Sequence, residues 1–158
     1  KYVEDVVLAE VGKGMAVSGK TRANFEITGG GFLATGPDDA TVAARREWVR
    51  GRIGFYGSTP AYYPVLAVHG LEDLGLKLNR MTKAGQWDKL AGEISDDVVD
   101  LFAASGRHDQ IKAVIERRFA DVSDGLSAST DGAQPGGMPP DLLKELATIR
   151  TPFEGFAT

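Results

Sequence analysis

The sequence contains no cysteine and only two histidines in 158 residues. A chain without cysteine forms no disulfide, carries no thiolate nucleophile and has no Cys-ligated zinc. The two histidines, His69 and His108, lie far apart, and neither belongs to an H-x-x-x-H or H-E-x-x-H motif. Zinc or triad chemistry would need carboxylates beside them at a suitable spacing. We therefore expect no metal site.

Long apolar runs and an excess of positive charge are also missing. No run approaches the roughly 20 apolar residues of a membrane helix, and the first residues show no secretory signal. The formal net charge is −4, whereas phosphate binding requires a basic surface. We expect no membrane partner and no nucleic-acid partner. The absence of cysteine fits a reducing compartment, so we expect a cytoplasmic protein.

The remaining composition, 42% hydrophobic and 25% charged, is typical of a single globular domain, here residues 1–158. The apolar periodicity predicts helices alternating with strands, and this order favours a parallel sheet. The predicted helices cover residues 1–18, 38–56, 106–119 and 141–150; the predicted strands cover 25–35, the end of 97–105, and 122–129. Because the chain begins at Lys1 within a helical pattern, we expect it to be part of a longer protein.

Two further segments interrupt this alternation. Residues 61–94 contain short apolar stretches separated by glycines, which predicts an inserted helical segment. Residues 131–140 are rich in glycine and proline, which predicts a loop before the last helix.

Gly14 to Thr21 matches the phosphate-binding loop G-x-x-x-x-G-K-[ST]. That loop requires a strand before it and a helix after it. Here the preceding residues have helical periodicity and the following ones alternate as in a strand. We therefore predict a helix that ends at a left-handed Gly19 cap, and a phosphate-loop NTPase is the least favoured alternative.

Gly29 to Ala34 also matches G-x-G-x-x-A, the dinucleotide-binding fingerprint. The fingerprint lies between a strand and a helix N-terminus, whereas this segment lies within a strand pattern. We interpret its glycines as sites of close backbone approach, including approach to a flat ligand.

Hydroxyl groups and aromatic rings cluster around one turn, at Tyr56, Ser58, Thr59 and Tyr62. Such a cluster can line a pocket for a planar ligand, or it can be packing at a helix corner. Both interpretations stay open.

Two helix starts also carry charged groups. Gly106, Arg107 and His108 precede a helix whose free N–H groups could hold an anion; a solvated helix start is the alternative. Asp96, Asp97 and Asp100 open another helix, and we interpret these acids as a capping device rather than as acid/base groups.

Residues 55–62, Phe-Tyr-Gly-Ser-Thr-Pro-Ala-Tyr, together with Pro64-Val65-Leu66 and His69-Gly70, resemble the bacterial luciferase-like family. The resemblance is to the branch of flavin- or deazaflavin-dependent oxidoreductases that uses coenzyme F420. Supporting stretches lie at 25–36, 78–88 and 97–106, so the resemblance covers about residues 1 to 130.

The resemblance implies an α/β fold, namely the last three strand–helix units of a (β/α)8 TIM barrel. A whole barrel needs about 250 residues, so this chain would lack most of the active site. A second copy, or association with a missing barrel half, could complete the barrel, which makes a homo-oligomer expected.

The implied function is hydride transfer by coenzyme F420, or alternatively FMN, with an unknown small-molecule substrate. The alternative is a non-catalytic barrel fragment or oligomerisation module. No residue is predicted as a catalytic acid or base. The predicted cofactor-binding residues are Gly29, Gly30, Tyr56, Ser58, Thr59, Tyr62, Gly106 and Arg107.

Overall fold

The computed structural model of the protein describes residues 1–126 and 138–156, which form mainly helices around two short strands. A π-helical turn, Val3–Val7, leads into α1. The α-helices are α1 (Leu8–Ser18), α2 (Asp39–Gly57), α3 (Tyr63–Ala67), α4 (Glu72–Lys83), α5 (Asp96–Phe102), α6 (Ile111–Phe119) and α7 (Pro140–Leu146). The strands are β1 (Phe32–Gly36) and β2 (Ala103–Arg107), and 3₁₀ turns span Pro60–Tyr62 and Trp87–Glu93.

The helix ends follow from local sequence signals. α1 ends where Gly19 adopts the left-handed conformation, with φ of 69°, which confirms the predicted cap. α2 begins after Asp38, whose carboxylate accepts a hydrogen bond from the Thr41 N–H at 2.7 Å and whose pKa is lowered by that bond. The same helix ends at Gly57, one residue beyond its predicted end, because Pro60 disfavours a helical conformation of the residue before it.

The sheet pairs β1 with β2 in parallel, from Phe32 opposite Ala103 to Gly36 opposite Arg107. The predicted parallel pairing is therefore confirmed, as is the short helix that runs into the second strand. The predicted strand over 25–35 is too long at its start. Gly29 and Gly30 have φ near 150°, a conformation that glycine alone adopts readily, and regular pairing begins only after them.

The third predicted strand, residues 122–129, is not found where the structure describes it. Up to residue 126 its pairing is a single parallel bridge between Gly125 and Thr28, and residues 127–129 lie outside the described part. The predicted loop 131–140 lies outside it as well, apart from its last three residues.

Helices cover both faces of the two-stranded sheet. Ala34 and Ala103 pack with α2 and α5, whereas Leu33 and Ala104 pack with α6 and α7. Neighbouring residues of a strand point to opposite faces, so α2 and α6 lie on opposite sides.

The predicted partial TIM barrel is therefore wrong. In a barrel every helix lies outside, and one face of each strand lines a closed interior. Here the described residues form two parallel strands within a largely helical chain, with no three strand–helix units. The idea that a second copy completes a barrel does not apply to this arrangement.

A buried carboxylate, Asp124, joins three segments that are distant in sequence. Its side chain is 1% exposed and forms a two-pronged ion pair with Arg22 at 2.9 and 3.1 Å. It also accepts hydrogen bonds from the N–H groups of Ile27, at 2.7 Å, and Phe153, at 3.1 Å. Burial alone would raise the pKa of Asp124, but these bonds and one from Thr151 outweigh it and lower the pKa.

We expect Asp124→Ala to reduce the free energy of unfolding by about 3 kcal/mol at pH 7, because it removes one partner of a buried ion pair. Chemical denaturation of both proteins measures this loss. Asp5→Ala is the control. The Asp5 side chain is 55% exposed, and its ion pair with the Lys1 side-chain amine is long, at 3.9 Å. The effect of this substitution on the free energy of unfolding should therefore stay within about 0.5 kcal/mol.

The difference in unfolding free energy between Asp124→Ala and the parent should disappear in acid. Since folding lowers the pKa of Asp124, its contribution is complete above the unfolded value of about 3.9. It then disappears as the pH falls through the folded value. A difference between the two proteins that is as large at pH 2 as at pH 7 would show that the charge of Asp124 does not stabilise the fold.

Candidate functional site

A cavity of about 430 Å³ lies at the amino-terminal edge of the two strands. This volume is within the usual range for small-molecule sites, and the lining is mostly apolar and aromatic. Its walls come from the start of β1, the end of α2, the following turn and α3, and the residue before β2. The lining residues are Gly30, Gly31, Phe32, Ile53, Tyr56, Gly57, Tyr62, Val65, Leu66 and Phe102.

The length of α2 explains why the aromatic turn reaches this edge. The helix begins just past the carboxyl end of β1 and packs along the sheet. Its 19 residues extend about 28 Å, which is longer than a five-residue strand. The last turn of α2 and Pro60–Tyr62 are therefore carried back beyond the start of β1.

Edge-to-face packing holds the aromatic wall of the cavity. The rings of Tyr56 and Tyr62 meet edge to face at 5.4 Å with an interplanar angle of 79°, whereas Tyr56 and Phe32 meet at 6.2 Å in a tilted arrangement of 33°. Such contacts fix ring orientation beyond what area burial does. Tyr62 remains 43% exposed, so one wall of the cavity faces solvent.

Arg52 lies behind this wall, one turn before Tyr56 on α2. Its guanidinium carbon is 5.7, 5.6 and 5.1 Å from the ring centres of Trp48, Phe55 and Tyr56. One terminal N–H group donates to the Tyr56 hydroxyl at 3.0 Å. Its Nε is buried and has no hydrogen-bond acceptor among the residues described.

Two of the cavity's three glycines, Gly30 and Gly31, are required mainly by protein packing. A Cβ on Gly30 would overlap the Leu126 side chain, and one on Gly31 would overlap the Phe102 carbonyl oxygen. The close backbone approach predicted for this segment is therefore present, but it is approach to other parts of the chain.

Three further predicted residues do not line the cavity. Ser58 is buried, and its hydroxyl donates to the Phe55 carbonyl at 2.7 Å, which makes it part of the helix end. Thr59 is exposed on the turn. Gly29 precedes the cavity and donates its N–H to the Gly125 carbonyl at 2.9 Å.

Gly106 and Arg107 lie at the opposite, carboxyl-terminal edge of the sheet. Arg107 pairs with Asp109 at 3.2 Å and with Asp39 at 3.0 Å, and hydrogen bonds to these two carboxylates raise its pKa. Its charge is therefore already neutralised. The structure thus divides the predicted site residues between two edges separated by the length of the strands.

Asp96, one of the acids that open α5, also has a structural partner. Ser95 caps the helix at the Val98 N–H, and Asp96 pairs with Arg50 at 2.5 Å. The hydrogen bond from Arg50 lowers the pKa of Asp96. A carboxylate held ionised in this way is poorly suited to act as a general acid.

The phosphate-loop motif lies in the last turn of α1 and its cap, as predicted. Gly14 to Ser18 are helical, so their N–H groups point along the helix rather than into a phosphate cradle. Lys20 lies over the ring of Phe25 at 5.5 Å.

Within the described residues, no group of three His, Asp or Glu side chains is placed to hold a metal ion. None of the described helices combines the length and apolar character needed to cross a bilayer.

Sequence reasoning missed Arg52, a charged side chain that packs behind the aromatic wall. A signal was available, because Trp48, Arg52 and Tyr56 are spaced four residues apart and so share one face of a helix. Phe32 and Phe102 were missed because their position depends on the pairing of the strands.

Comparison with known proteins finds relatives without an assigned function. An uncharacterized protein of Mycobacterium bovis and two of Mycobacterium tuberculosis, from strains CDC 1551 and H37Rv, are each 40% identical to this chain over 124 residues. The match covers 78% of this chain but 36% of each relative, so the chain spans little more than a third of the length of these curated relatives. No protein-family model and no solved structure matches the chain.

Two glycine substitutions test the packing around the cavity. We expect Gly31→Ala to destabilise the protein by about 1–3 kcal/mol, because the new methyl group overlaps backbone of Phe102 that has to shift. Gly51→Ala is the matched change within α2, where a Cβ has open space. It should stabilise the protein by up to about 1 kcal/mol. Thermal unfolding of the two variants measures both effects, and equal melting temperatures would contradict this account of Gly31.

Proposed function

We propose that this chain belongs to a luciferase-like oxidoreductase that uses coenzyme F420, or alternatively FMN, and that the amino-edge cavity receives the planar ring of the cofactor. The observation that supports this most directly is the wall of Phe32, Tyr56, Tyr62 and Phe102 around an apolar space of about 430 Å³. Aromatic walls with few polar groups suit a flat heteroaromatic ligand.

The residues present fit the ring of such a cofactor in shape and chemistry. Tyr62 is half exposed and can cover one face of a ring, while Val65 and Leu66 offer apolar contacts. When bound, a flavin or deazaflavin supplies the hydride chemistry itself. The chain's own part is to bind and orient the ring, and we assign no acid or base to it.

The length of the relatives is compatible with this proposal. The stretch they share with this chain accounts for 36% of each relative, so further residues are available in those proteins to complete a site. The substrate and the direction of the reaction belong to the whole protein.

Tyr62→Ala tests the cavity as the cofactor site. We expect the chain to bind F420 or FMN with saturable quenching of tryptophan fluorescence. The variant should bind about tenfold more weakly, since stacking of a base-like ring on an aromatic side chain contributes about 1–3 kcal/mol.

Leu76→Ala is the control for this experiment. Leu76 lies on α4, outside the cavity, and at 46% its exposure matches that of Tyr62, so its variant should bind as the parent does. The proposal fails if neither cofactor binds the chain, or if the two variants lose affinity equally.

An assembly module is a second candidate, supported by the N-terminal helix. Residues 3–18 contain no buried side chain in the described structure, and Val3, Val6 and Val7 are 37–38% exposed. An apolar stripe of this kind is typical of a surface that associates.

For this second candidate, light scattering at increasing concentration should show a dimer or larger species. Replacing Val3 and Val7, one helical turn apart, by serine should shift the mass towards the monomer. A monomeric parent chain at all concentrations would exclude self-association through this stripe.

A further inference from the structure

Arg52 is a cation without a carboxylate partner among the described residues, whereas Arg46 and Arg50 on the same helix each have one. Arg46 lies 2.5 Å from Asp100, and Arg50 lies 2.5 Å from Asp96. No such ion pair involves Arg52 in the described residues. Its positive charge is held instead against three aromatic rings.

The surroundings of Arg52 leave the guanidinium incompletely satisfied. Cation–π contacts stabilise it in part, yet the Nε atom is buried without an acceptor among the residues described. A buried donor without a partner is costly and calls for an explanation. An additional negative group close by would offset this cost.

The hydrogen bond to Tyr56 connects this charge to the cavity. Tyr56 lines the cavity, and its hydroxyl oxygen accepts from the Arg52 terminal N–H at 3.0 Å. A phenol that accepts one hydrogen bond still has its own hydrogen to donate. Because the donor to its oxygen is a cation, that O–H is polarised and becomes a stronger donor.

We propose that Tyr56 and Arg52 together recognise an anionic oxygen on a planar aromatic ligand, with Tyr56 donating to the oxygen and Arg52 supplying the positive charge. This inference rests on the proposed function of the cavity and adds the chemical class of its ligand: a flat ring with a carboxylate, phenolate or similar oxygen. In this assignment Tyr56 touches the ligand and Arg52 is a positioning residue.

An isosteric pair of probes separates charge from shape. Naphthalene-2-carboxylate and naphthalene-2-carboxamide have the same flat ring and nearly the same size, but only the first is an anion at pH 7. We expect the 158-residue chain to bind the carboxylate at least tenfold more tightly at low salt, measured by quenching of tryptophan fluorescence, to which Trp48 beside Arg52 contributes.

The variants then assign the preference to residues. Arg52→Gln and Tyr56→Phe should each reduce the carboxylate-over-carboxamide ratio to about threefold or less, because a charged oxygen gains more than a neutral one from this hydrogen bond and this charge. Arg52→Lys, which keeps the charge, should retain part of the ratio. Arg117→Gln removes an exposed cation on α6, remote from the cavity, and should retain all of it.

Each outcome bears on a distinct claim. If both probes bind the parent chain equally, or if Arg52→Gln keeps the full ratio, the anion inference is overturned while the planar-ligand cavity stands. If neither probe binds and neither cofactor binds, the proposed function and this inference both fail. If Arg52→Gln melts well below the parent, Arg52→Lys and Arg117→Gln decide instead. The inference is overturned unless Arg52→Lys lowers the ratio and Arg117→Gln leaves it unchanged.

Discussion

The parallel pairing of two five-residue strands is the constraint on which the rest of the described structure depends. A sheet this small cannot bury itself, so each of its faces needs a helical layer. α2 and α5 cover the face of Ala34 and Ala103, while α6 and α7 cover the face of Leu33 and Ala104. The two core clusters are the direct result, and the small alanine side chains on both strands let the helices approach closely.

The same pairing gives the two edges of the sheet different chemistry. At the carboxyl edge, Arg107 is held by Asp39 and Asp109, and the capping carboxylate of Asp38 occupies the start of α2. The Arg107 cation is therefore paired within the chain. At the amino edge, aromatic rings surround an apolar space, and Arg52, which packs against these rings, has no acidic partner in the described structure. This asymmetry is why the amino edge carries the functional proposals.

Local features of this fold could be predicted from the sequence because their causes are local. The Gly19 cap, the Asp38 cap, the end of α2 before Pro60 and the passage of α5 into β2 each depend on a few neighbouring residues. The face of the sheet on which a helix packs depends on distant contacts instead. Periodicity shows that α6 has an apolar stripe, but not that the stripe meets Ala104 on the side opposite to α2.

The candidate site was predicted in part for the same reason. Tyr56 and Tyr62 belong to one turn, so their proximity could be predicted from their spacing, whereas Gly30 joins them only through the strand order. The resemblance placed Gly106 and Arg107 in the same site. Because parallel strands expose their two ends on opposite edges, residues at the start of β1 and at the end of β2 cannot share one cavity here.

The cavity and the buried Asp124 are physically linked through one short segment. Asp124 holds Ile27 by two backbone bonds, one through its carboxylate and one through its own N–H, each 2.7 Å long. Two residues after Ile27, the Gly29 carbonyl accepts a hydrogen bond from the Ser123 hydroxyl, and Gly30 lies against the Leu126 side chain. Gly30 forms the edge of the cavity. An ion pair that stabilises the fold therefore also fixes one wall of the space in which a planar ligand would bind, so loss of that ion pair should loosen the cavity before the helices of the core separate.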